Sequence, residues 1–126
     1  MYSILVCDDE KDIVSALKIY LMADGYQVFE AYNGKEALEV LKEQDIHLVL
    51  MDIMMPELDG KEASRKIRSM ADQREDAAEI PILAMTAQAS TESIHQCKSA
   101  GMNECIFKPV NAKELIRLLQ DIVAKI

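Results

Sequence analysis

Five short apolar runs alternate with stretches of helical periodicity along the chain, and this alternation narrows the fold more than any other feature. Each run carries β-branched or aromatic side chains over four to six residues, which is typical of a buried strand. The predicted strands are residues 3–7, 27–31, 47–51, 80–85 and 104–107.

Between these runs, apolar residues recur at three- and four-residue spacing, which predicts five amphipathic helices. The first helix contains Ile13 and Leu21, and Gly25 stands where such a helix would end. The fourth, residues 90–100, has only Ile94 and Cys97 as large apolar residues. We therefore expect it to be held weakly against the sheet, although a merely well-solvated helix would show the same pattern.

Strict alternation of strands and helices predicts a single, doubly wound parallel sheet covered by helices on both faces. The chain has 126 residues, which suits one domain with one substantial core. We therefore expect an α/β fold in which residues 1–126 form one domain.

Polar residues follow four of the predicted strands. Asp8 and Asp9 follow the first, Asp52 the third, Thr86 the fourth and Lys108 the fifth. Because the carboxyl ends of parallel strands meet at one edge, where ligands of open α/β sheets bind, these residues are expected to converge. Each aspartate taken alone is also explained as a helix cap or a turn residue.

Three converging carboxylates repel one another unless a cation neutralises them, and oxygen-only ligand sets suit Mg2+. Asp8, Asp9 and Asp52 together with Lys108 and one Mg2+ sum to zero charge. Magnesium and lysine are common charge stabilisers in phosphate chemistry. The pattern therefore indicates a magnesium-dependent phosphate site.

The overall charge excludes some functions. The chain has 22 acidic and 14 basic residues and a formal charge of -8, which disfavours direct contact with nucleic acid.

We find no pattern of a signal peptide and no apolar run near the ~20 residues of a membrane span, so a cytoplasmic location is expected. Cys7, Cys97 and Cys105 are widely spaced and are interpreted as reduced thiols.

The chain resembles the receiver domain of two-component response regulators over essentially its whole length. The resemblance is carried by DDE at 8–10, MDIMMPELDG around Asp52, MTA at 85–87 and KP at 108–109. It implies a flavodoxin-like sheet of strand order 2-1-3-4-5 with five flanking helices.

By this resemblance Asp52 is the phosphoacceptor, which attacks the phosphohistidine of a histidine kinase or a histidine phosphotransfer domain. Asp9, Asp52 and the backbone carbonyl of Met54 would bind Mg2+, with Asp8 acting through a water molecule. The domain would assist its own phosphorylation and dephosphorylation, and would not be an enzyme acting on another molecule.

The resemblance also implies how the domain responds. Lys108 would pair with a phosphoryl oxygen, and the Thr86 hydroxyl would move to hydrogen-bond another. The face formed by the fourth helix, fifth strand and fifth helix would carry the output, and it could also serve for homodimer formation. The Lys108-Pro109 peptide bond is expected to be cis.

One position departs from the family pattern. Receivers usually have Tyr or Phe three residues before the lysine, where this chain has Cys105. We expect Cys105 to be a passive packing residue, with Phe107 on the same strand face adding some bulk. Pro56 and the Asp59-Gly60 pair are interpreted as turn residues that end the loop after Asp52 and start the next helix.

The two halves of the chain resemble different receivers. Residues 1–60 are similar to receivers of winged-helix regulators, whereas AMTAQAS, SAGMNECIFKPV and the long 69–79 segment are similar to receivers of hybrid histidine kinases. A natural mosaic, a divergent member and an engineered recombinant would all have this appearance.

Two other classes of protein share parts of the pattern. A Mg2+-dependent phosphohydrolase of the haloacid dehalogenase type also uses an aspartyl phosphate, but it carries DxD after a strand, whereas Asp8 and Asp9 are adjacent. A flavodoxin-type flavin module needs a Ser/Thr/Gly phosphate loop where this chain has CDDE.

Overall fold

A computed structural model of the chain describes residues 2–53, 60–70, 80–87 and 90–124. Strands and helices alternate strictly through this part of the chain, as the sequence predicts. The strands are β1 (Ser3–Cys7), β2 (Gln27–Ala31), β3 (Leu48–Asp52), β4 (Ile82–Thr86) and β5 (Glu104–Phe107). The helices are α1 (Lys11–Ala23), α2 (Gly34–Glu43), α3 (Gly60–Arg68), α4 (Thr91–Ser99) and α5 (Ala112–Val123).

The sheet is fully parallel with the order β2-β1-β3-β4-β5, which confirms the predicted fold class and strand order. Every residue of β1, β3 and β4 is buried, whereas the edge strands β2 and β5 are partly exposed. Central strands covered by helices on both faces have to be apolar at successive positions, which explains their continuous apolar runs.

Strands β3 and β4 end one residue later than predicted. Asp52 still pairs with Met85, and Thr86 pairs with Phe107, so both polar residues continue the ladder as the last residues of their strands. The strand order reverses between β1 and β3, and this is where an open α/β sheet forms its ligand-binding crevice.

Alternate residues of the central strands point to two separate cores. On one face Leu5, Val49 and Ala84 pack with residues of α2, α3 and α4. On the other face Val6, Leu50 and Leu83 pack with α1 and α5. None of the described helices combines the length and apolar character that crossing a bilayer requires.

Helix α4 buries little apolar surface, as the sequence predicts, because Ser93 and Cys97 are its only buried described residues and Ile94 is half-buried. Its N-terminus is capped by Ser90, whose Oγ accepts a hydrogen bond from the Ser93 amide at 3.1 Å.

Polar contacts hold the C-terminal end of α4 and the connection to β5. The Ser64 hydroxyl donates to the Ala100 carbonyl at 2.8 Å. Arg68, at the end of α3, donates twice to the Gly101 carbonyl, at 2.6 and 3.0 Å. It also donates to the Ile80 carbonyl at 2.7 Å and to Asn103 Oδ1 at 2.9 Å. Helix α4 is therefore held weakly through its apolar contacts, as expected, but its C-terminal end is held firmly by the hydrogen bonds of Ser64 and Arg68, which we call the Arg68 clamp.

Replacing Arg68 with Ala is expected to lower the free energy of unfolding by about 2 to 3 kcal/mol, since hydrogen bonds from a charged donor to several backbone carbonyls are lost. Burial lowers the pKa of Arg68, and this desolvation offsets part of the stabilisation that the hydrogen bonds of Arg68 provide. Urea denaturation measures the change. Arg65→Ala, at an exposed position of the same helix, is the control and should shift stability by less than about 0.5 kcal/mol. Equal effects of the two substitutions would contradict a clamp at Arg68.

Candidate functional site

Side chains from three strands meet at the carboxyl edge of the sheet. Lys108 Nζ lies 3.0 Å from Asp8 Oδ2 and 3.4 Å from Asp52 Oδ2. Thr86, buried at the end of the neighbouring strand, accepts the Lys108 amide hydrogen through its backbone carbonyl at 2.8 Å. The structure thus brings together polar residues that are far apart in the sequence.

Asp8 is fully buried and is fixed by the backbone. Its amide donates to the Ala31 carbonyl of β2 at 3.2 Å, and its Oδ1 accepts the Glu10 amide hydrogen at 3.0 Å. Its Oδ2 is also buried and lies 3.0 Å from the Lys108 ammonium. One oxygen of Asp8 therefore orients the carboxylate, and the other faces the site.

The site holds more negative than positive charge. Asp8 and Asp52 are 0% and 2% exposed, and Lys108 supplies one positive charge between them. A buried excess of carboxylate is unfavourable unless a further cation or a proton balances it. The arrangement is suited to a bound cation beside the lysine.

Further carboxylates lie at the rim. One oxygen each from Asp8, Asp9 and Glu10 lies within 4.8 Å of the other two, and Asp9 and Glu10 are exposed. Carboxylate oxygens at this spacing fit a hard cation such as Mg2+. Glu10 received no role from the sequence, although the run of three acids could have drawn attention to it. Met54, expected to contribute its carbonyl, lies outside the described residues.

Lys108 is held in a constrained position. The Lys108-Pro109 bond is cis, as predicted, and the lysine side chain is 19% exposed. Burial lowers the pKa of Lys108, but its hydrogen bond to Asp8 and the charges of Asp52 and Asp8 outweigh burial and raise the pKa overall. The ammonium is therefore charged at neutral pH.

Gly60 allows α3 to begin against the end of β3. A Cβ at this position would lie 2.2 Å from the Asp52 carbonyl oxygen and 2.8 Å from the Ile53 Cα. Positive φ angles occur at Gly25 and Gly101 and not at Gly60 in the described chain. Gly60 is the first residue of α3, which confirms the prediction that it begins a helix, but the sequence did not reveal the close approach of two backbone segments that this glycine allows. Pro56 and Asp59 lie outside the described residues.

Cys105 is half-buried and packs against the core beneath α2, α3 and α4, as expected of a packing residue. That core contains Cys97 of α4. Phe107 is 39% exposed and belongs to neither core. The expectation that its ring adds bulk beside Cys105 stays a prediction.

The sequence profile of the response regulator receiver domain family matches residues 4–120, and the chain belongs to this family. It is a receiver domain of two-component signalling. Domains of this family receive phosphoryl groups from histidine kinases or histidine phosphotransfer proteins.

Similar proteins include both regulators and kinases. The chain is 34% identical over 125 residues to the response regulator SaeR of Staphylococcus epidermidis, covering 99% of the chain and 52% of SaeR. It is 38% identical over 113 residues to the CAI-1 autoinducer sensor kinase/phosphatase CqsS of Vibrio cholerae, covering 90% of the chain and 16% of CqsS. The chain thus spans about half or less of the length of these relatives.

The fold of the chain is similar over nearly its whole length to that of a solved receiver domain. The receiver domain of the sensor histidine kinase PA1611 from Pseudomonas aeruginosa PAO1 superimposes with a TM-score of 0.84 at 33% identity, covering 95% of each chain. That structure contains a magnesium ion coordinated in the active-site cleft.

Gly60→Ala should lower the free energy of unfolding by about 2 to 3 kcal/mol, because the added methyl group meets backbone atoms that cannot rotate away. Gly25→Ala is the comparison, since its φ is +90° but nothing lies within 4 Å of the added atom. It should cost about 1 kcal/mol through backbone conformation alone. Chemical denaturation measures both, and a Gly60 loss no larger than the Gly25 loss would show that the approach to Asp52 is not tight.

Proposed function

We propose that this receiver accepts a phosphoryl group at Asp52 from the phosphohistidine of a histidine kinase or a histidine phosphotransfer domain. The observation that carries the proposal is the buried Asp52 carboxylate, whose Oδ2 lies 3.4 Å from a lysine that also contacts Asp8. A buried carboxylate at the point where the strand order reverses, held beside a positive charge, supports this role, because the lysine would stabilise the negative charge of the phosphorylated product.

The residues present fit the Mg2+ that the family implies. Asp9, Asp52 and the Met54 carbonyl would hold it directly, and Asp8 would act through a water molecule. The buried Asp8 Oδ2 and the acidic rim supply the oxygen ligands that this cation prefers. When bound, Mg2+ neutralises charge and orients an oxygen of the incoming phosphoryl group.

Lys108 and Thr86 would convert phosphorylation into movement. Changing a carboxylate to an acyl phosphate adds about one negative charge, which strengthens the attraction on the Lys108 ammonium. Thr86 ends β4 next to Asp52 and precedes the connection to α4. Its hydroxyl would hydrogen-bond the phosphoryl group and draw this connection with it, shifting α4.

The proposal has several further parts. The surface of α4, β5 and α5 would serve as the output face and as the contact surface of a homodimer. Residues 1–126 would act as one receiver unit, without direct contact to nucleic acid, in the cytoplasm, where three free cysteines suit a reducing environment.

The alternative is a Mg2+-dependent phosphohydrolase that forms the same aspartyl phosphate but turns over small substrates. The adjacent pair Asp8 and Asp9 does not match the DxD of such hydrolases, which favours the non-enzymatic receiver. Multiple turnover of small phosphate esters at saturating Mg2+ would support the hydrolase. A single phosphorylation followed by slow self-hydrolysis is the result expected here.

Incubation with acetyl phosphate and Mg2+ should add one HPO3 group per chain at Asp52, because the cation and Lys108 neutralise the charge that develops during transfer. Intact-mass spectrometry detects the adduct. Asp52→Asn should abolish it, whereas Asp121→Asn, at an exposed carboxylate on α5, should leave it unchanged. Retention of the adduct in Asp52→Asn would contradict the assignment of Asp52 as the phosphoacceptor.

Lys108→Ala should leave Mg2+ binding largely intact while weakening the response to a phosphoryl group. The reason is that the lysine competes electrostatically with the cation but would pair with the phosphoryl oxygen. Backbone NMR shifts on adding Mg2+, and then beryllofluoride as a phosphoryl mimic, separate the two effects. Lys113→Ala, at an exposed position of α5, should retain both responses. Loss of Mg2+ binding with retention of the α4 shifts would contradict this role of Lys108.

A further inference from the structure

The His47 side chain extends the hydrogen bonding between β1 and β3 at the amino edge of the sheet. The Ser3 carbonyl, at the beginning of β1, accepts the backbone amide hydrogen of His47 at 2.9 Å. In return, the Ser3 amide donates to Nδ1 of the His47 imidazole at 3.0 Å. The backbone pairing of the two strands begins one residue later, with Ile4 opposite Leu48. The imidazole therefore adds one hydrogen bond before the first backbone pair.

Neighbouring side chains keep this contact away from water. Ser3 is 6% exposed, and its hydroxyl donates to Oε1 of Gln27 on β2 at 3.2 Å. The Tyr2 ring packs edge-on against the imidazole, with the ring centroids 5.3 Å apart and the planes at 84°. A buried amide hydrogen without an acceptor is unfavourable, so the Ser3 amide depends on the imidazole for its hydrogen bond.

This hydrogen bond defines which nitrogen of the neutral ring carries the hydrogen. A nitrogen that accepts a hydrogen bond has no hydrogen of its own, so the hydrogen of the neutral His47 ring is on Nε2. A second proton can then bind only at Nδ1, the atom that faces the Ser3 amide. Once protonated, Nδ1 is a donor, and two donors cannot form a hydrogen bond with each other.

Two titratable side chains of the described residues face the ring. Asp45, in the connection before β3, places its Oδ2 3.8 Å from His47 Nε2, and its side chain is 88% exposed. Tyr2 approaches from the side of β1 through its ring, and Gln27, which contacts Ser3 from β2, is uncharged. The Asp45 carboxylate attracts an imidazolium, although only weakly at such an exposed position.

We propose that His47 acts as a proton-operated latch between the starts of β1 and β3. The neutral imidazole accepts the Ser3 amide hydrogen and closes the latch. A proton from the solvent that binds at Nδ1 breaks this hydrogen bond and leaves the imidazolium beside the Asp45 carboxylate. Histidine side chains ordinarily change charge between about pH 5 and 8, so mild acidification would open the latch. The latch lies at the sheet edge opposite Asp8 and Asp52 and is independent of the proposed function.

Long-range 1H–15N NMR spectra of the whole chain test the protonation of the ring without any substitution. At pH 8 we expect a hydrogen on Nε2 of His47, none on Nδ1, and a downfield Ser3 amide proton. At pH 5 both nitrogens should carry hydrogens, and the Ser3 amide proton should move upfield. A hydrogen on Nδ1 at pH 8 would overturn the proposal, as would a Ser3 signal that stays fixed while the ring titrates.

Hydrogen exchange of the Ser3 amide measures the size of the effect. After correction for the intrinsic exchange rate at each pH, its protection should fall about two- to tenfold from pH 8 to pH 5, as expected for the loss of one ordinary hydrogen bond. The Val6 amide, within the same strand, should keep its protection. Unchanged protection of Ser3, or equal losses at Ser3 and Val6, would contradict a local latch.

Two variants separate the latch from other effects of pH. In His47→Asn, the amide oxygen can take nearly the position of Nδ1 but is not protonated in this pH range, so the Ser3 signal should become independent of pH. His95→Asn removes the other histidine, which is exposed on α4, and should leave the Ser3 response unchanged.

A pH-dependent Ser3 signal that persists in His47→Asn, or that disappears in His95→Asn, would assign the proton to another group and overturn the latch. Circular dichroism checks that both variants fold. If His47→Asn does not fold, the ring and amide spectra of the unaltered chain still decide, because they require no substitution.

Discussion

The ion pairs of Lys108 with two buried aspartates are the interaction on which the remaining structure depends. Asp8 and Asp52 are almost completely removed from water, and their charges exceed that of the single lysine between them. Such a cluster is unfavourable in an apolar interior. It is tolerated here because it lies at the carboxyl edge of the sheet, where backbone donors and a cation can offset the negative charge.

The sheet provides this edge because every residue of its three central strands is buried. Each strand is covered on both faces, and its polar residues are confined to the strand ends. Gly60 completes the arrangement by letting α3 begin against the carbonyl of Asp52. The backbone that positions Asp52, the proposed phosphoacceptor, is therefore also the surface against which Gly60 packs.

The sequence predicts the strands and helices well, because their apolar periodicity is local, while the strand order came from the family resemblance. The convergence of Asp8, Asp52 and Lys108 follows from parallel topology and could also be foreseen. The Arg68 clamp could not, because one arginine among several charged residues of α3 has no distinguishing pattern. The burial of Cys97 in the core against which Cys105 packs likewise depends on how a helix lies over a strand, which no local spacing encodes.

These contacts make the two ends of α4 unequal. The N-terminal end begins at Ser90, close in sequence to Thr86, and it is stabilised mainly by its own cap. The C-terminal end is clamped to α3 by Arg68, and Cys97 is buried in the core. Under the proposed function, a pull transmitted from Thr86 would act on the loosely held N-terminal end, and the clamped end would serve as the pivot.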